Sequence, residues 1–202
     1  MIDRKFYKWL FLNGIKLYVK FRDRNKQSEN TTNVIKNNDM NEIKELIDLL
    51  LFDFDEDDKI EVAERLNFAN ENPKKYLDEE NNLWVLEVTN NILPFALVSL
   101  TTNYLDYFIS DKIDELYEQI EEVLPEDFPE YPNQDYWDTE ELFEWLDQTL
   151  VSKKVNLELV ALGSNFDDNM EMVFVNRNST IRIIELSQKL KINCTKATEM
   201  FK

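Results

Sequence analysis

The sequence predicts an α+β fold in which a helical N-terminal half precedes a small antiparallel sheet with a C-terminal hairpin and helix. Three observations support this class. Apolar residues in the first half recur mostly at helical spacing. Two short apolar runs, 155–162 and 170–175, flank a segment of turn-forming residues. With 202 residues, of which 43% are hydrophobic, the chain suits one domain with a sizeable core.

Helical patterns account for the first half of the domain. A helix is expected from Asp39, which forms an N-cap pair with Glu42. A second helix should run over 57–70, and Pro73 suits the first position of a short third helix over 73–80. The run 83–86 is ambiguous between strand and buried helix; we favour a helix that ends near Pro94. The residues expected inside the first helix are Met40, Ile43, Leu46, Ile47, Leu50 and Leu51.

The middle of the chain is expected to hold a strand and two helices. The apolar, partly β-branched run 95–101 is a strand candidate. Ser110 is placed to cap a strongly amphipathic helix that follows. Asp138 with Glu141 opens the next helix. The apolar stripes of the two helices are Ile113, Leu116, Tyr117, Ile120, Val123 and Leu124, then Leu142, Phe143, Leu146 and Leu150.

The last third is expected to form a hairpin and a helix. Residues 155–162 alternate with a period of two, and 170–175 return as the partner strand. The segment Gly163–Asn169 has the composition of the turn between them, although its many oxygen atoms leave a cation or substrate site as the alternative. Ser179 can cap a helix that buries Ile183, Leu186 and Leu190.

The composition excludes several kinds of chemistry. The chain has no His, one Cys and two Gly. The absence of His excludes a Ser-His-Asp catalytic triad, a Cys-His catalytic dyad and any His-containing zinc site. A lone Cys cannot form an internal disulfide. Phosphate-binding loops need a cluster of glycines. With 41 Asp and Glu against 23 Lys and Arg, the chain has a net charge of −18, which argues against nucleic acid as a ligand.

The charge is distributed unevenly, and it divides the chain into three parts. Residues 1–26 carry eight Lys or Arg and two Asp, with apolar residues near helical spacing. This segment is predicted to be a basic amphipathic tail that touches a membrane surface, docks on its own acidic body or is simply disordered. Residues 27–39 have the composition of a polar linker, and 40–202 form a single acidic domain. The apolar residues of the tail are Phe6, Trp9, Leu10, Leu17 and Phe21.

One acidic segment is similar to an EF-hand calcium loop. Asp53, Asp55 and Asp57 occupy loop positions one, three and five, and Glu64 occupies position twelve. Oxygen ligands at this spacing suit a hard cation such as Ca²⁺. Asp58, however, stands at the sixth position, where the loop requires Gly. Calcium is therefore the one candidate cofactor, and a solvated acidic connection between two helices is the alternative.

A second acidic segment, the acidic belt, runs from Tyr104 to Asp147. It holds 16 Asp or Glu and a single basic residue, Lys112, interleaved with aromatic residues. A surface this negative steers basic partners, and aromatic residues can anchor a protein interface. The alternative is a solubilising face with the aromatics in the core. The residues proposed to bind a partner are Asp114, Glu118, Glu121, Glu122, Tyr131, Tyr136 and Trp137.

The order of segments resembles an uncharacterised bacterial domain family of small acidic α+β proteins, a domain of unknown function. The resemblance covers roughly residues 40–192. It rests on 71–77 (ENPKKYL), the run 95–101, the helix 138–150, the turn 163–167 and the strand 170–175. The segment 101–104 departs from the acidic sequence expected of relatives. The family implies no activity and no catalytic residue.

The predicted function is a non-enzymatic protein-interaction or immunity-type protein that binds a basic protein through the acidic belt. An inhibitor of a basic toxin and a nucleic-acid mimic are both of this class. Calcium binding at 53–64 is the alternative, and a carboxylate-dependent hydrolase is a third hypothesis. Cys194 has no identifiable base and is expected to be a free thiol. Cysteine usage and the absence of a convincing signal peptide favour the cytoplasm, with peripheral membrane contact through residues 1–26 as an alternative.

Overall fold

The computed structural model describes residues 39–133, 137–163 and 169–201, so the predicted tail and all but the last residue of the linker lie outside the described residues. The order of elements is helical until residue 101 and mixed afterwards. The helices are α1 (Asp39–Leu50), α2 (Glu56–Glu71), α3 (Pro73–Glu79), α4 (Val85–Val88), α5 (Leu93–Thr101), α6 (Ile113–Glu121), α7 (Thr139–Ser152) and α8 (Thr180–Lys189). The strands are β1 (Tyr107–Ser110), β2 (Leu157–Gly163), β3 (Met170–Asn176) and β4 (Asn193–Lys196).

The four described strands form one antiparallel sheet in the order β1-β3-β2-β4. Strands β2 and β3 are the predicted hairpin, with Leu159 opposite Phe174. β1 pairs with β3 from Tyr107, opposite Val173, and β4 pairs with β2 on the other side. The predicted α+β class and the helical first half are therefore confirmed.

Helices cover both faces of the sheet, and each face has its own core. One face packs under α1, α2, α3, α5 and α8 in a mostly aliphatic cluster, which we call the aliphatic core. The other packs under α6 and α7 in a cluster rich in rings, the aromatic core. The alternation of side chains along a strand explains the division, because Val160 and Leu162 lie on the first face and Leu159 on the second. Both faces are buried, so the central strands are apolar on both sides.

The prediction of a strand over 95–101 was wrong, because these residues belong to helix α5. Nearly every residue of α5 is buried, including Pro94, Phe95 and Leu97. A segment surrounded by core is apolar on all sides, and its sequence then loses the periodicity that separates a helix from a strand. Pro94 lies in the first turn of α5, where a missing N–H costs nothing, and so it begins this helix rather than ending the preceding one.

Two strands and two caps also differ from expectation. Strand β1 ends at Ser110, three residues before α6 begins, and the Ser110 hydroxyl accepts a hydrogen bond from the Lys112 N–H (3.1 Å). Ser110 therefore does not cap that helix. Ser179 precedes α8 but makes no capping hydrogen bond with its side chain. Strands β1 and β4 have four residues each, too short to show a pattern of their own.

The remaining predicted helices are confirmed within a few residues. Helix α1 begins at Asp39 and buries the expected stripe except for Met40, which is partly exposed, and α3 has proline in its first turn. Asp138 accepts a hydrogen bond from the Glu141 N–H (2.9 Å) and caps α7. The short α4 replaces the longer helix expected before Pro94, and it ends at Val88.

Candidate functional site

A cleft of about 340 Å³ lies at the end of the sheet where β2 begins and β3 ends. The two acidic segments found in the sequence, the one at 53–64 and the acidic belt, both contribute to its walls. The lining residues are Leu50, Phe52, Asp53, Phe54, Tyr104, Leu105, Asp106, Phe108, Val123, Leu124, Pro125, Val155, Leu157, Val173 and Phe174.

The walls of the cleft come from three connections between elements. The turn after α1 supplies Phe52 and Phe54, the approach to β1 supplies Tyr104, and the segment after α6 supplies Val123. The ring of Phe54 meets that of Tyr104 edge to face, with centroids 5.3 Å apart. This contact holds the first two connections against each other across 50 residues of sequence.

The floor of the cleft is core, and its rim is exposed. Phe108 and Val173 are buried residues of β1 and β3. At the rim, Phe52 is 39% exposed and Val123 is 43% exposed. Both belong to the few large apolar side chains that the described residues leave in solvent. A cleft with a buried apolar floor and exposed apolar rim residues is suited to receive apolar side chains of a ligand.

The potential around the cleft is negative. Asp53 and Asp106 are exposed lining residues, and the Tyr104 hydroxyl donates a hydrogen bond to Asp58 (3.5 Å). Burial raises the pKa of Tyr104, and the negative charges of Asp58 and Glu61 raise that pKa further. Two side chains, one from each acidic segment, thus bring carboxylates to one opening.

Two lysines, Lys153 and Lys154, directly precede the lining residue Val155, and the first of them forms an ion pair. The Lys153 ammonium group donates hydrogen bonds to the backbone oxygen (2.7 Å) and the carboxylate (3.2 Å) of Asp127. Lys154 is exposed and precedes the lining residue Val155. Of these two lysines, only Lys154 lies outside the ion pairs of the described residues.

The arginines of the described residues all form ion pairs with carboxylates. Arg65 binds Glu79 and Glu80, each at 2.8 Å. Arg182 binds Glu45 at 2.7 Å. A third network joins Arg177 to Asp147 (2.7 Å) and to buried Glu158 (3.4 Å), which also binds Lys196 (3.0 Å). These pairs tie elements together, and the carboxylates left over set the sign of the surface.

Helix α6 carries a stripe of exposed carboxylates that ends beside the cleft. Asp114, Glu118 and Glu121 lie at helical spacing on its outer face, and Glu122 directly precedes the rim residue Val123. Lys112 pairs with Glu115, so it does not neutralise the stripe. The four predicted acidic partner-binding residues are thus exposed together and continuous with the rim.

The aromatic residues of the acidic belt lie mostly in the aromatic core. Tyr131 is only 3% exposed, and its ring stacks on that of partly buried Trp137 with centroids 5.5 Å apart. The Tyr117 hydroxyl accepts a hydrogen bond from the Tyr131 N–H (2.9 Å). Tyr131 therefore is not an exposed anchor. Tyr136 lies outside the described residues.

The predicted calcium ligands are spread over a turn and a helix. Asp53 and Asp55 precede α2, whereas Asp57 and Glu64 lie within it. Seven helical residues span about 10 Å along the axis, so Asp57 and Glu64 are not brought around one point. Acidic side chains in the first turn of α2 interact favourably with the helix dipole. Within the described ranges, no three acidic or thiol side chains form a group that could hold a metal.

A buried polar cluster lies against the aliphatic core. Thr101 donates to the Leu97 carbonyl oxygen (2.7 Å), so the Tyr107 hydroxyl, 3.0 Å away, is the donor to Thr101. Burial raises the pKa of Tyr107, and buried Glu171 raises it further. Burial also raises the pKa of the Cys194 thiol to about 12, which suppresses the nucleophilic thiolate. This cluster is suited to hold the sheet against α5, not to perform catalysis.

Sequence reasoning found both acidic segments but not their meeting point. Phe52, Leu105 and Asp106 were not identified as site residues, and the assignment of Val123 to the apolar stripe of α6 was wrong, because Val123 follows that helix and is 43% exposed. They are single residues in connections without periodicity, and only the pairing of β1 with β3 brings them together. One sequence feature could have indicated these residues: isolated aromatic or aliphatic residues next to acidic residues in the connections between elements.

Comparison with known proteins gives no relative. No family model, no curated protein and no solved structure matches the chain. The resemblance to a bacterial domain of unknown function therefore stays a prediction. Among the described helices, none combines the length and the apolar character required to cross a membrane.

Proposed function

We propose that this protein binds a basic protein partner that inserts apolar side chains into the cleft. The observation that carries the proposal is the convergence of the two acidic segments on one apolar opening, with Asp53 and Asp106 among its lining residues. The carboxylate stripe of α6 extends the same negative surface. The proposed activity is binding, without catalysis.

The chemistry of the site defines the partner. Exposed Phe52 and Val123 favour an apolar residue, because its insertion removes apolar surface of both molecules from water. The carboxylates favour lysine or arginine close to that residue, and they accelerate the encounter through long-range attraction. An inhibitor of a cationic protein, such as an immunity protein against a basic toxin, has this chemistry. With Cys194 as a free thiol, such binding is proposed to take place in the cytoplasm.

The test uses the full chain and a defined probe, a fluorescein-labelled 20-residue helical peptide of lysine and leucine in amphipathic spacing. Fluorescence anisotropy measures its Kd at about 0.05 M and 0.5 M salt, where screening differs several-fold in length. We expect at least tenfold weaker binding at the higher salt. An acidic peptide with the same leucines, in which glutamate replaces lysine, should not bind.

Matched variants locate the binding. The double variant Asp53→Asn/Asp106→Asn removes two charges at the cleft, and Asp78→Asn/Asp111→Asn removes two exposed charges on α3 and beyond the far end of β1. The cleft variant should raise Kd about two- to thirtyfold, given about 0.2–1 kcal/mol for each of two exposed ion pairs, and the control should not. Equal effects of the two variants would show diffuse attraction to an acidic protein and would contradict the proposal.

A further inference from the structure

We infer that the N-terminal segment 1–26 of the same chain occupies the cleft and competes with the partner. The inference rests on the proposed function, because it assigns a resident ligand to the same site. Residues 1–26 lie outside the part of the chain that the structure describes, and their sequence and point of attachment carry the argument.

Charge and apolar content match the cleft. Residues 1–26 carry eight basic and two acidic side chains, whereas the rest of the chain has 15 basic and 39 acidic ones. Phe6 and Trp9 are three residues apart in the sequence and are preceded by Lys5 and Lys8, respectively. This is the chemistry that an apolar opening beside Asp53 and Asp106 selects. Within the chain, no other segment of this length combines such a positive charge with several aromatic residues.

The point of attachment allows the segment to reach the cleft. Helix α1 begins at Asp39 and ends at Leu50, which lines the cleft, so its 12 residues place the chain entry about 17 Å from the site along the helix axis. The part of the linker before α1, residues 27–38, can span up to about 40 Å when extended. The distance is thus well within reach.

Covalent attachment makes a weak contact sufficient. A short linker holds its ligand at an effective concentration of about a millimolar. A segment with a millimolar Kd for the cleft would therefore occupy it about half of the time. A basic partner must displace the segment, so the tail sets a threshold of partner affinity or concentration for binding.

The first experiment places a nitroxide label in the segment of the full chain through Asn13→Cys. The raised pKa of Cys194 leaves that thiol with little thiolate, so a maleimide reagent prefers the new cysteine. Methyl NMR then reports which side chains the label broadens. We expect broadening at Leu50, Leu105 and Leu157 at about 0.05 M salt, and its loss at about 0.5 M.

Two controls define the outcome. Ile192 precedes β4 at the far end of the sheet, about 20 Å from Leu157, and should be broadened least. The double variant Asp53→Asn/Asp106→Asn should reduce the broadening at the cleft, and Asp78→Asn/Asp111→Asn should not. Uniform broadening, no broadening, or broadening only between labelled and unlabelled copies in a mixture would overturn the inference.

The second experiment measures competition. Lys5→Gln/Lys8→Gln/Lys16→Gln/Lys20→Gln neutralises half of the basic residues of the segment in the full chain. We expect this variant to bind the lysine–leucine peptide about twofold more tightly than the unaltered chain, because release of a half-occupied site doubles the fraction of open cleft. Unchanged affinity would overturn self-docking while leaving the proposed function in place, whereas failure of both chains to bind would contradict the proposed function as well. Segment-dependent binding to vesicles of anionic lipid, without broadening at the cleft, would assign the segment to a membrane surface instead.

Discussion

The two faces of the sheet differ in the side chains that form their cores and in the charges on the helices that cover them. The aliphatic core consists mainly of Leu, Ile, Val and Ala from the helices and the sheet, and its outer surface carries the ion pairs of Arg65 and Arg182. The aromatic core is covered by the acidic belt, whose basic residue Lys112 is already paired. On this second face, the rings point inward and most of the carboxylates point outward.

The difference shows how an interleaved pattern should be interpreted. Acidic and aromatic residues alternate along the acidic belt because its helices are amphipathic, so most of the rings are core and not interface anchors. The exposed apolar residues on which the proposed function depends lie instead between the two cores, where Phe52 and Val123 border the cleft. The cleft lies between the two cores, neither core fills it, and the acidic belt gives it negative charge.

The largest expected effect concerns Cys194, at the edge of the aliphatic core. Its pKa rises from 9.0 to about 12 on burial, so at pH 8 its thiolate fraction is about a thousandfold lower than in the unfolded chain. Alkylation by iodoacetamide at pH 8 should be slower by about this factor in the native protein than in urea. Comparable rates in the two states would show that the thiol is open to solvent.

The same thiol predicts a pH dependence of stability. The folded protein holds the Cys194 proton more tightly than the unfolded chain, so the thiol contributes stability that is complete below pH 9 and is lost as the pH rises toward 12. Between pH 9 and 11, the unfolding free energy of Cys194→Ala should fall less steeply than that of the unaltered protein. An equally steep fall in the unfolding free energy of the two proteins over this range would argue against the raised pKa of the Cys194 thiol.

Truncation of either core tests whether both faces belong to one folding unit. Leu66→Ala in the aliphatic core should cost about 2–5 kcal/mol, and Phe143→Ala in the aromatic core about 3–5 kcal/mol, because both side chains are fully buried. Urea unfolding followed by circular dichroism and by tryptophan fluorescence should give coincident transitions in each variant. An earlier fluorescence transition in Phe143→Ala would indicate that the aromatic face unfolds separately.

A pair of hydroxyl deletions separates a satisfied polar group from an unsatisfied one. Tyr117→Phe removes the acceptor of the buried Tyr131 N–H and should cost about 1–3 kcal/mol. Thr180→Val removes a buried hydroxyl that has no hydrogen-bond partner in the described structure, and should be neutral or slightly stabilising. Urea denaturation measures both changes, and a reversed order would refute the hydrogen-bond assignment at Tyr117.

The smallest expected effect is at the helix caps. Asp138→Ala removes the bond to the Glu141 N–H and should cost about 1 kcal/mol, while Asp138→Asn retains the cap and most of the stability. Ser179→Ala should change the unfolding free energy by less than about 0.5 kcal/mol, because that side chain caps nothing. Similar losses at Asp138 and Ser179 would contradict the difference seen between the two helix starts.

The sequence predicts those helices and strands that have one buried face and one exposed face, because their apolar residues then recur with a regular period. Helix α1, helix α7 and the β2–β3 hairpin each have periodicity, a cap or a turn that can be recognised locally. Helix α5 was missed because it is buried on all sides, and its apolar run has no period. Strands β1 and β4 were missed because they are short and are defined by their partners.

The sequence reveals that the candidate site is acidic, but it does not reveal where in the fold the site lies. The acidic belt and the acidic turn at 53–58 are visible in the composition. Their meeting depends on the order of strands, which places the approach to β1 beside the turn after α1, as the contact between Phe54 and Tyr104 shows. A pairing between segments 50 residues apart has no local signature.

The most direct test of the central claim is the location at which the lysine–leucine peptide binds. A methyl NMR titration of the full chain should shift Leu50, Leu105, Val123 and Leu157, which line the cleft, and leave Ile192 at the far end of the sheet unchanged. Shifts confined to these lining residues would support the acidic cleft as the binding site. Shifts spread over α8 and the far end of the sheet, or absent from the cleft, would contradict it.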